Sequence, residues 1–340
     1  MHPDEFTELA ASYSAELRAH CYRILGSVHD AEDAVQEALV RAWRAIDRFE
    51  GRGSLRSWLY SIATNTALDI AKGRSRREFA VDLGAPAGPG AVLDAPLTEL
   101  SWLEPYPDQW LAAAAEPSPE ARYEQRESVE LAFVAAVQHL PPLQRAVLLL
   151  REVAGFSAAE TATQLSTSVA AVTSALQRAR ATVAARLPEQ SQQSTLRMLG
   201  DQRTRDLARR YADAMERGDI AALTAMLTDD VTWSMPPVAT WFAGLESVRD
   251  FLVRYPLTDQ WKHRPTRANG QLAVAAWAFD EDDGGFVPAA IDVLTLKGDK
   301  IVAVTGFLTA DLLGPEQAGG WIRGAELFER FGLSADPPLT

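Results

Sequence analysis

The sequence predicts a multidomain protein with two all-α domains, the second a helix-turn-helix, joined by a linker and followed by an α+β domain. Apolar residues recur at helical spacing over residues 1–78 and 122–188. Residues 79–121 lie between these segments and contain seven prolines and three glycines, a composition typical of linkers. Residues 204–335 begin with helical patterns and continue with short strand-like runs, an order typical of α+β domains.

The first domain, residues 1–78, is predicted to consist of helices. Acidic residues from Asp30 onward open the second helix, where the helix dipole favours negative charge. A wide apolar stripe that includes Trp43 follows and predicts a face that packs in the core. Ser54 has the position of the N-cap of a third helix, and Trp58 lies on the apolar face of that helix. Trp58 is therefore predicted to be a core residue.

The second helical domain, residues 122–188, ends in a helix-turn-helix pattern. Ser157 and Glu160 have the spacing of a capping box at the start of a short helix. After a turn at residues 166–168, a helix with one apolar face is predicted over residues 169–187. A short helix, a turn and an amphipathic helix in this order are typical of DNA-binding proteins.

A polar hinge is predicted at residues 189–203, before the α+β domain. The strands predicted in that domain lie at residues 231–235, 272–279, 288–296 and 301–307. Turn sequences at residues 282–285 and 297–300 predict that the last three strands form an antiparallel meander.

Composition favours a cytoplasmic protein without a membrane segment, metal or cofactor. No run approaches the roughly 20 apolar residues of a membrane helix, and the N-terminus lacks the pattern of a signal peptide. The single cysteine, Cys21, excludes an internal disulfide and a cysteine-rich zinc site. The net charge is −13, but residues 41–78 carry nine basic and four acidic groups. Because nucleic-acid binding depends on local charge, the negative total does not exclude it.

Three motifs of the helical half occur in the order found in one bacterial family. They are residues 30–37 with 41–43, residues 49–65, and residues 140–152 with 177–180. At these positions the chain resembles the RNA polymerase sigma factors of the extracytoplasmic-function type, and the resemblance covers residues 4–188. It implies a protein that is not an enzyme, binds core RNA polymerase and promoter DNA, and directs promoter-specific initiation of transcription.

The first motif resembles the helix with which this family grips the polymerase. The polymerase-binding residues that the resemblance implies are Asp30, Glu32, Asp33, Gln36, Glu37 and Arg41. Acids clustered at a helix start suit a basic partner surface, and a solvated helix end is the alternative interpretation.

The second motif resembles the segment that reads the −10 promoter element. The DNA-binding residues that it implies are Arg52, Ser54, Arg56, Asn65, Lys72, Arg74, Arg76 and Arg77. Their positive charge suits a phosphate backbone. Separating the strands also requires groups that hold an unstacked base, and Asn65 and Tyr60 are candidates for that role.

The third motif resembles the domain that reads the −35 element. The DNA-binding residues that it implies are Ser168, Ala170, Ala171, Ser174, Gln177, Arg178 and Arg180. Gln and Arg side chains pair with base edges in the major groove, and small residues allow the helix to approach closely. Arg180 is expected to contact phosphate instead. A helix-turn-helix pattern alone would be weak support, but the two upstream motifs strengthen it.

The linker resembles the family's segment that threads polymerase channels otherwise occupied by RNA. Residues 79–122 carry one basic and seven acidic groups, which fits a mimic of nucleic acid. The apolar island at residues 102–110 is unusual in a linker. It is either a feature of the subgroup of sigma factors with an added C-terminal domain or a packing anchor for the protein's own domains.

The C-terminal domain, residues 204–335, resembles the SnoaL-like or nuclear-transport-factor-two-like cone. The residues that carry this resemblance are 218–219, 227–233, 236–237 and 241–244, followed by the meander. The resemblance implies a regulatory domain built into the sigma factor. In catalytic relatives, a carboxylate or histidine inside the cone moves protons next to a carbonyl group.

Candidates for a small-molecule pocket in this domain are Trp233, Trp241, Trp277 and Asp292. The alternatives are ordinary core packing for the tryptophans and a hydrogen-bonded structural role for Asp292. His263 is the second candidate for proton transfer, with an unspecialised loop histidine as the alternative.

Two other functions remain for the whole chain, an isomerase or cyclase and an operator-binding repressor. An enzyme is disfavoured because no acid–base pair has a diagnostic spacing. A repressor is disfavoured because operator binding does not explain the acidic run at residues 30–37.

Overall fold

The computed structural model describes residues 3–49, 54–73, 76–112, 125–281, 284–319 and 321–337. The chain divides into two compact units, each formed from two separate stretches of sequence. The first unit joins Met1–Arg77 to Gln109–Glu189, and the second joins Glu78–Asp108 to Gln190–Thr340. Among the described residues, no helix is both long enough and apolar enough to span a membrane.

Helices build the first unit, and helices with one sheet build the second. The helices are α1 (Pro3–Leu25), α2 (Val28–Ala45), α3 (Leu55–Lys72), α4 (Ala80–Leu83), α5 (Gln109–Ala112), α6 (Leu131–Gln138), α7 (Pro142–Leu148), α8 (Ala158–Gln164), α9 (Val169–Ala184), α10 (Gln192–Leu199), α11 (Asp201–Glu216), α12 (Ile220–Met226), α13 (Leu245–Arg254), α14 (Ala310–Leu313), α15 (Pro315–Ala318) and α16 (Gly324–Arg330). The strands are β1 (Leu227–Met235), β2 (Val238–Ala243), β3 (Trp261–Ala268), β4 (Gln271–Asp280), β5 (Gly285–Lys297) and β6 (Lys300–Leu308).

Helices α1, α2 and α3 form the N-terminal helical domain that the sequence predicts. Ser54 caps α3 as predicted, because its Oγ accepts the Ser57 N–H at 3.1 Å. Trp58, predicted to be core, is half-buried, and its ring lies 5.1 Å from that of Phe49. Trp43, predicted to pack inward on α2, is instead 53% exposed. The apolar stripe of α2 is wider than the face that α1 and α3 cover.

The helix-turn-helix is confirmed by α8, α9 and the turn between them. Ser157 and Glu160 form the predicted capping box, with both reciprocal hydrogen bonds present. The predicted apolar face of α9 is buried and contains Val172, Leu176, Ala179 and Val183. These four residues share one core cluster with α6 and α7, so α9 is fixed with its opposite face toward solvent.

The six-stranded sheet has the order β2-β1-β6-β5-β4-β3. The β4–β5 and β5–β6 pairs are antiparallel and confirm the predicted meander. The β1–β6 pair is parallel, which allows a strand from the start of the domain to join the last hairpin. An apolar cluster from α11, α12 and α13 packs on one face of the sheet.

Two edge strands, β2 and β3, are absent from the sequence-based prediction. β3 contains Pro265 and exposed Arg264, and both are typical of edge strands, which need few partners. Pairing with β1 and β4 makes these segments strands, whereas their own sequences lack regular alternation. Local pattern therefore predicted the centre of the sheet better than its edges.

The predicted hinge at residues 189–203 is largely a folded part of the second unit. Ser191 caps α10 by accepting the Ser194 N–H at 3.2 Å. The buried side chain of Gln192 bonds both backbone groups of Leu296, at 2.9 Å and 2.7 Å. The polar composition of this segment predicted a hinge. Glutamine side chains can also form hydrogen bonds with the backbone groups of a neighbouring strand, as Gln192 does here.

Candidate functional site

The solvent face of α9 presents the side chains predicted to read DNA in the major groove. Ala170, Ser174, Gln177 and Arg178 are exposed, and Ala171 is half-buried. The Arg178 guanidinium donates to Ser174 Oγ at 2.6 Å, which holds it along the helix surface. A long hydrogen-bond donor beside small residues suits the recognition of base edges in the major groove.

Two further residues of the predicted −35 set, Ser168 and Arg180, also have partners within the protein. Ser168 caps α9, because its Oγ accepts the Ala171 N–H at 3.1 Å. Arg180 forms an ion pair with Glu152 at 2.7 Å, and both side chains remain exposed. Exposed pairs of this kind are weak, so this ion pair is compatible with the predicted phosphate contact of Arg180.

The predicted −10 set is divided between exposed and internally bonded residues. Ser54, Asn65, Lys72 and Arg76 are exposed, although Lys72 is bonded to Asp69 at 3.0 Å. Arg52 and Arg74 lie outside the described residues.

Two arginines of this set do not present free charge to DNA. Arg56 donates from Nε to Glu16 Oε1 at 2.8 Å and from Nη1 to the Ala154 carbonyl at 3.0 Å. Arg77 is bonded to Asp30, and only 12% of its side chain is exposed. The sequence shows positive charge but does not show that an acid distant along the chain neutralises it.

The helix-turn-helix domain contacts the predicted −10 segment within the first unit. The Gln164 carbonyl accepts from Ser61 Oγ at 3.2 Å and from Asn65 Nδ2 at 3.3 Å. The Gln164 side chain donates to Ser57 Oγ at 2.9 Å. The Asn65 amide is thus bonded within the protein in this arrangement.

The polymerase-binding set on α2 is exposed with one clear exception. Asp33, Gln36, Glu37 and Arg41 lie at the surface, and Glu32 is half-buried. Asp30 is 2% exposed and is bonded to Arg77, so a direct contact of its carboxylate with a partner is not supported. The acidic cluster at the start of α2 therefore includes one structural acid.

The surface of α2 also carries large apolar side chains outside the predicted polymerase-binding set. Val40 is 43% exposed and Trp43 is 53% exposed. In the sequence, the exposure of such residues is indicated by an apolar stripe that is wider than a single packed helix face. Aromatic side chains are enriched at protein–protein interfaces relative to the rest of a protein surface.

The structure brings together only two of the four predicted pocket residues of the C-terminal domain. Trp233 and Asp292 lie on the same side, where Tyr211 donates to Asp292 Oδ2 at 2.9 Å and stacks on Trp233. Trp241 is half-buried and donates to the Gly84 carbonyl at 2.9 Å. Trp277 packs edge-on against Phe328 at 4.9 Å, outside the cluster that contains Trp233. Strand alternation separates these side chains, which sequence distance alone did not indicate.

Asp292 has the structural environment that the sequence left as an alternative. Its carboxylate is buried, and a Cβ added at Gly306 would lie 2.8 Å from its Oδ1. Burial raises the pKa of Asp292 to about 6, and the Tyr211 hydrogen bond opposes this increase. Close packing and one hydrogen bond explain this carboxylate without a substrate.

His263 lies on strand β3 rather than in a loop, which corrects that interpretation. The side chain is buried, and neither ring nitrogen has a hydrogen-bond partner among the described residues. Burial lowers the pKa of His263 to about 3, which keeps the imidazole neutral at ordinary pH.

The Asp292→Asn variant is expected to be more stable than the parent protein above pH 6. The pKa of Asp292 is about 6 in the folded chain and 3.8 ordinarily, so its ionisation opposes folding increasingly from about pH 4 to pH 6. The difference should reach on the order of 3 kcal/mol at neutral pH and vanish below about pH 4. Urea unfolding at several pH values, followed by tryptophan fluorescence, measures it. A difference that does not change with pH would contradict a buried, titrating Asp292.

Three family models match the chain in the order of its domains. Sigma-70 region 2 matches residues 9–77, Sigma-70 region 4 matches residues 130–183, and the SnoaL-like domain matches residues 208–304. The first two cover α1–α3 and α6–α9, and the third covers most of the α+β domain.

Similar proteins include several sigma factors. ECF RNA polymerase sigma factor SigG of Mycobacterium tuberculosis (strain ATCC 25618 / H37Rv) is 40% identical over 312 residues, covering 91% of this chain and 82% of SigG. RNA polymerase sigma-H factor of Pseudomonas aeruginosa is 30% identical, covering 52% of this chain and 82% of that protein. The crystal structure of Mycobacterium tuberculosis extracytoplasmic function sigma factor SigJ has a TM-score of 0.57 at 22% identity. It covers 91% of this chain and 99% of that one, and it supports the same fold.

The fold and the three matched regions define a bacterial transcription factor of the sigma-70 class. The chain belongs to the extracytoplasmic-function sigma factors that carry a C-terminal SnoaL-like domain. Its function is that of this family: it binds core RNA polymerase and directs promoter-specific initiation of transcription. The sigma factors are not a family of enzymes, and the sequence-based predictions of the fold class and of the sigma-factor function are confirmed.

The Trp43→Ala variant is expected to bind core polymerase less tightly. An aromatic side chain at the centre of an interface contributes about 2 kcal/mol, so the dissociation constant should rise roughly 30-fold. Fluorescence anisotropy of labelled protein with core polymerase measures this. Met198→Ala, which removes a 68% exposed apolar side chain elsewhere, is the control. Equal affinity of both variants would remove Trp43 from the polymerase-binding surface.

Proposed function

We propose that, in the cytoplasm, the SnoaL-like domain restrains the activity of this sigma factor. It does so by binding the linker that connects the two sigma domains. The observation that carries the proposal is that residues 78–108 are bonded along the C-terminal domain. These residues belong to the same compact unit as that domain rather than to the sigma domains that they connect.

The first part of the linker extends the sheet at its β2 edge. The Ala87 N–H donates to the Trp241 carbonyl at 2.7 Å, and Ala87 forms a parallel bridge with Phe242. The Trp241 indole in turn donates to the Gly84 carbonyl at 2.9 Å. The linker thus covers an edge whose backbone groups would otherwise need partners.

The middle of the linker is held by a carboxylate. Thr240 Oγ1 donates to Asp94 Oδ2 at 2.6 Å and accepts the Asp94 N–H at 2.9 Å. The Leu97 N–H donates to the Pro237 carbonyl at 2.9 Å. Asp94, one of the linker acids predicted to mimic nucleic acid, therefore has a partner inside the protein.

The apolar island at residues 102–110 supplies the last anchor at the β3–β4 turn. Tyr106 and Asn269 exchange two hydrogen bonds, both 2.8 Å long, through the Tyr106 backbone. Asp108 accepts from the Gly270 N–H at 2.6 Å and from Arg267 Nε at 3.2 Å. Trp102, Leu103 and Tyr106 are fully buried. These contacts support the interpretation of the island as a packing anchor.

A linker held in this way cannot at the same time occupy a polymerase channel. If the linker threads the polymerase as the family resemblance implies, docking and threading compete for the same residues. Each hydrogen bond that docking provides contributes about 1 kcal/mol, so several bonds together favour the docked state. The C-terminal domain then acts as an inhibitor that is covalently part of the sigma factor.

The variants Asp94→Ala and Asp108→Ala test the proposal in the full chain. Each should weaken docking by about 1–2 kcal/mol, which shifts the docked-to-free ratio roughly 5- to 30-fold. Limited proteolysis should cleave the linker faster, and single-round transcription with core polymerase should increase. Asp230→Ala is the matched control, because its exposed carboxylate contacts Lys297 and not the linker.

The readouts separate three results. Faster linker cleavage with more transcript supports restraint by docking. Faster cleavage with less transcript would show that the domain assists initiation, and faster cleavage with unchanged transcript would show that docking has no regulatory role. Either of these last two results overturns the proposal.

A further inference from the structure

A cavity of about 380 Å³ lies within the sigma half, where the N-terminal helices meet the helix-turn-helix domain. Its lining residues are Ile24, Leu25, Asp30, Ala71, Arg76, Arg77, Gln138, His139, Leu140, Pro141, Pro142 and Arg145. Residues up to Arg77 come from one sigma domain, and residues from Gln138 onward come from the other. The volume is within the range of pockets that hold small organic ligands.

The cavity wall carries more positive than negative charge. Its three guanidinium groups face a single carboxylate, Asp30, which is bonded to Arg77. Arg145 is buried, and its partners are oxygens of Ile24, Gln138 and Leu140. No carboxylate pairs with Arg145 among the described residues, and its Nε has no hydrogen-bond partner there. A buried cation with only neutral partners is costly unless an anion is close.

A second arginine adds to the charge at the mouth of the cavity. Arg76 is exposed, and its Nη1 lies 2.6 Å from His139 Nδ1. Because arginine only donates, His139 accepts through Nδ1. Burial, and then the charge of Arg76, lower the pKa of Arg145 to about 10. The two guanidinium groups therefore repel each other, and an anion bound beside them would reduce this repulsion.

We propose that this cavity binds a small phosphorylated metabolite of nucleotide size. Arg76 supplies a guanidinium group of the kind that pairs with phosphate oxygens, and Arg145 from the other sigma domain supplies its positive charge and its Nε–H, since its Nη groups are bonded to protein oxygens. Ile24, Leu140 and the two prolines provide an apolar wall for the organic part of the ligand.

Such a ligand would act on the arrangement of the two sigma domains. Because both domains contribute to the wall, the ligand binds only when they are packed together, and binding stabilises that state by mass action. In the same state, Gln164 is bonded to Asn65 of the −10 segment. The ligand should therefore lower initiation. This regulation is independent of the docked linker and does not rest on it.

Calorimetric titration of the full chain tests the proposal with four probes: inorganic pyrophosphate, ADP, adenosine and a promoter DNA duplex. Saturable binding of ADP and pyrophosphate is expected, with no binding of adenosine. The Arg76→Gln variant should weaken ADP binding at least about tenfold, since it removes one charged phosphate donor. Arg76 is exposed, so this variant keeps the fold. The matched control is Arg178→Gln, an exposed arginine of α9, which should leave ADP affinity unchanged.

Transcription provides a second readout. ADP should reduce the transcript made with the parent chain and have a smaller effect with Arg76→Gln. Absence of saturable binding by either phosphate compound would overturn the proposal, as would equal ADP affinity of the parent and Arg76→Gln. If only the DNA duplex binds and loses affinity in Arg76→Gln, the cavity arginines serve DNA phosphates and no metabolite.

Discussion

Replacement of Gln177 and Arg178 together by alanine is expected to abolish most promoter-specific transcription. Both side chains are exposed on the solvent face of α9, which its apolar core contacts hold outward. Each side chain that pairs well with a base edge contributes about 1–3 kcal/mol of discrimination, so the loss should exceed about tenfold. Binding to core polymerase should be unchanged, because the substitutions leave the exposed residues of α2 in place. Single-round transcription and polymerase-binding assays on the same preparations measure both effects.

The control for this variant is the Gln202→Ala, Arg205→Ala double substitution. It removes the same two residue types from an exposed surface of α11 in the C-terminal domain. Equal transcript from the parent and the Gln177, Arg178 variant would show that α9 does not read the promoter. An equal loss of transcript in the control variant would show that the effect comes from a general change in charge or stability.

The second large effect is expected for Asp30→Ala, as a loss of stability. The carboxylate of Asp30 is 2% exposed, and its partner Arg77 is 12% exposed. Removing one member of a buried ion pair leaves the other charge without compensation, which costs about 3–5 kcal/mol. Urea unfolding of the full chain should show this loss in the transition of the sigma half.

Asp230→Ala serves as the control, since its pair with Lys297 is exposed and its removal should leave the midpoint unchanged. Core-polymerase binding of Asp30→Ala, measured where the variant is still folded, distinguishes its two assigned roles. Unchanged stability combined with lost polymerase binding would reinstate Asp30 as a contact residue.

The helix-turn-helix shows which structural features a local sequence pattern can predict. The steps between Val172, Leu176, Ala179 and Val183 are those of one helix face, and this periodicity alone predicts which side faces solvent. Ser174, Gln177 and Arg178 do not lie on this apolar face, so the same periodicity predicts that they are exposed. Caps at Ser54 and Ser157 are equally local, because a cap joins residues three positions apart.

The −10 segment shows features that a local sequence pattern does not predict. Arg56 and Arg77 have the charge of DNA contacts, but each is bonded to an acid more than a helix away along the chain. Arg77 and Asp30 are 47 residues apart, and no periodicity links such positions. Trp43 shows the converse, because its apolar character predicted burial and only the packing of α1 and α3 leaves it exposed.

The sequence by itself determined the order of the domains, the main helices, the meander and the sigma-factor function, because these depend on local periodicity and on motifs in a fixed order. The tertiary structure alone decided which charges are neutralised, that Tyr211 bonds Asp292 across 81 residues, and that the linker docks on the C-terminal domain. The physical reason is that these features depend on which distant groups meet. Burial then requires each buried polar group to find a partner, wherever that partner lies in the chain.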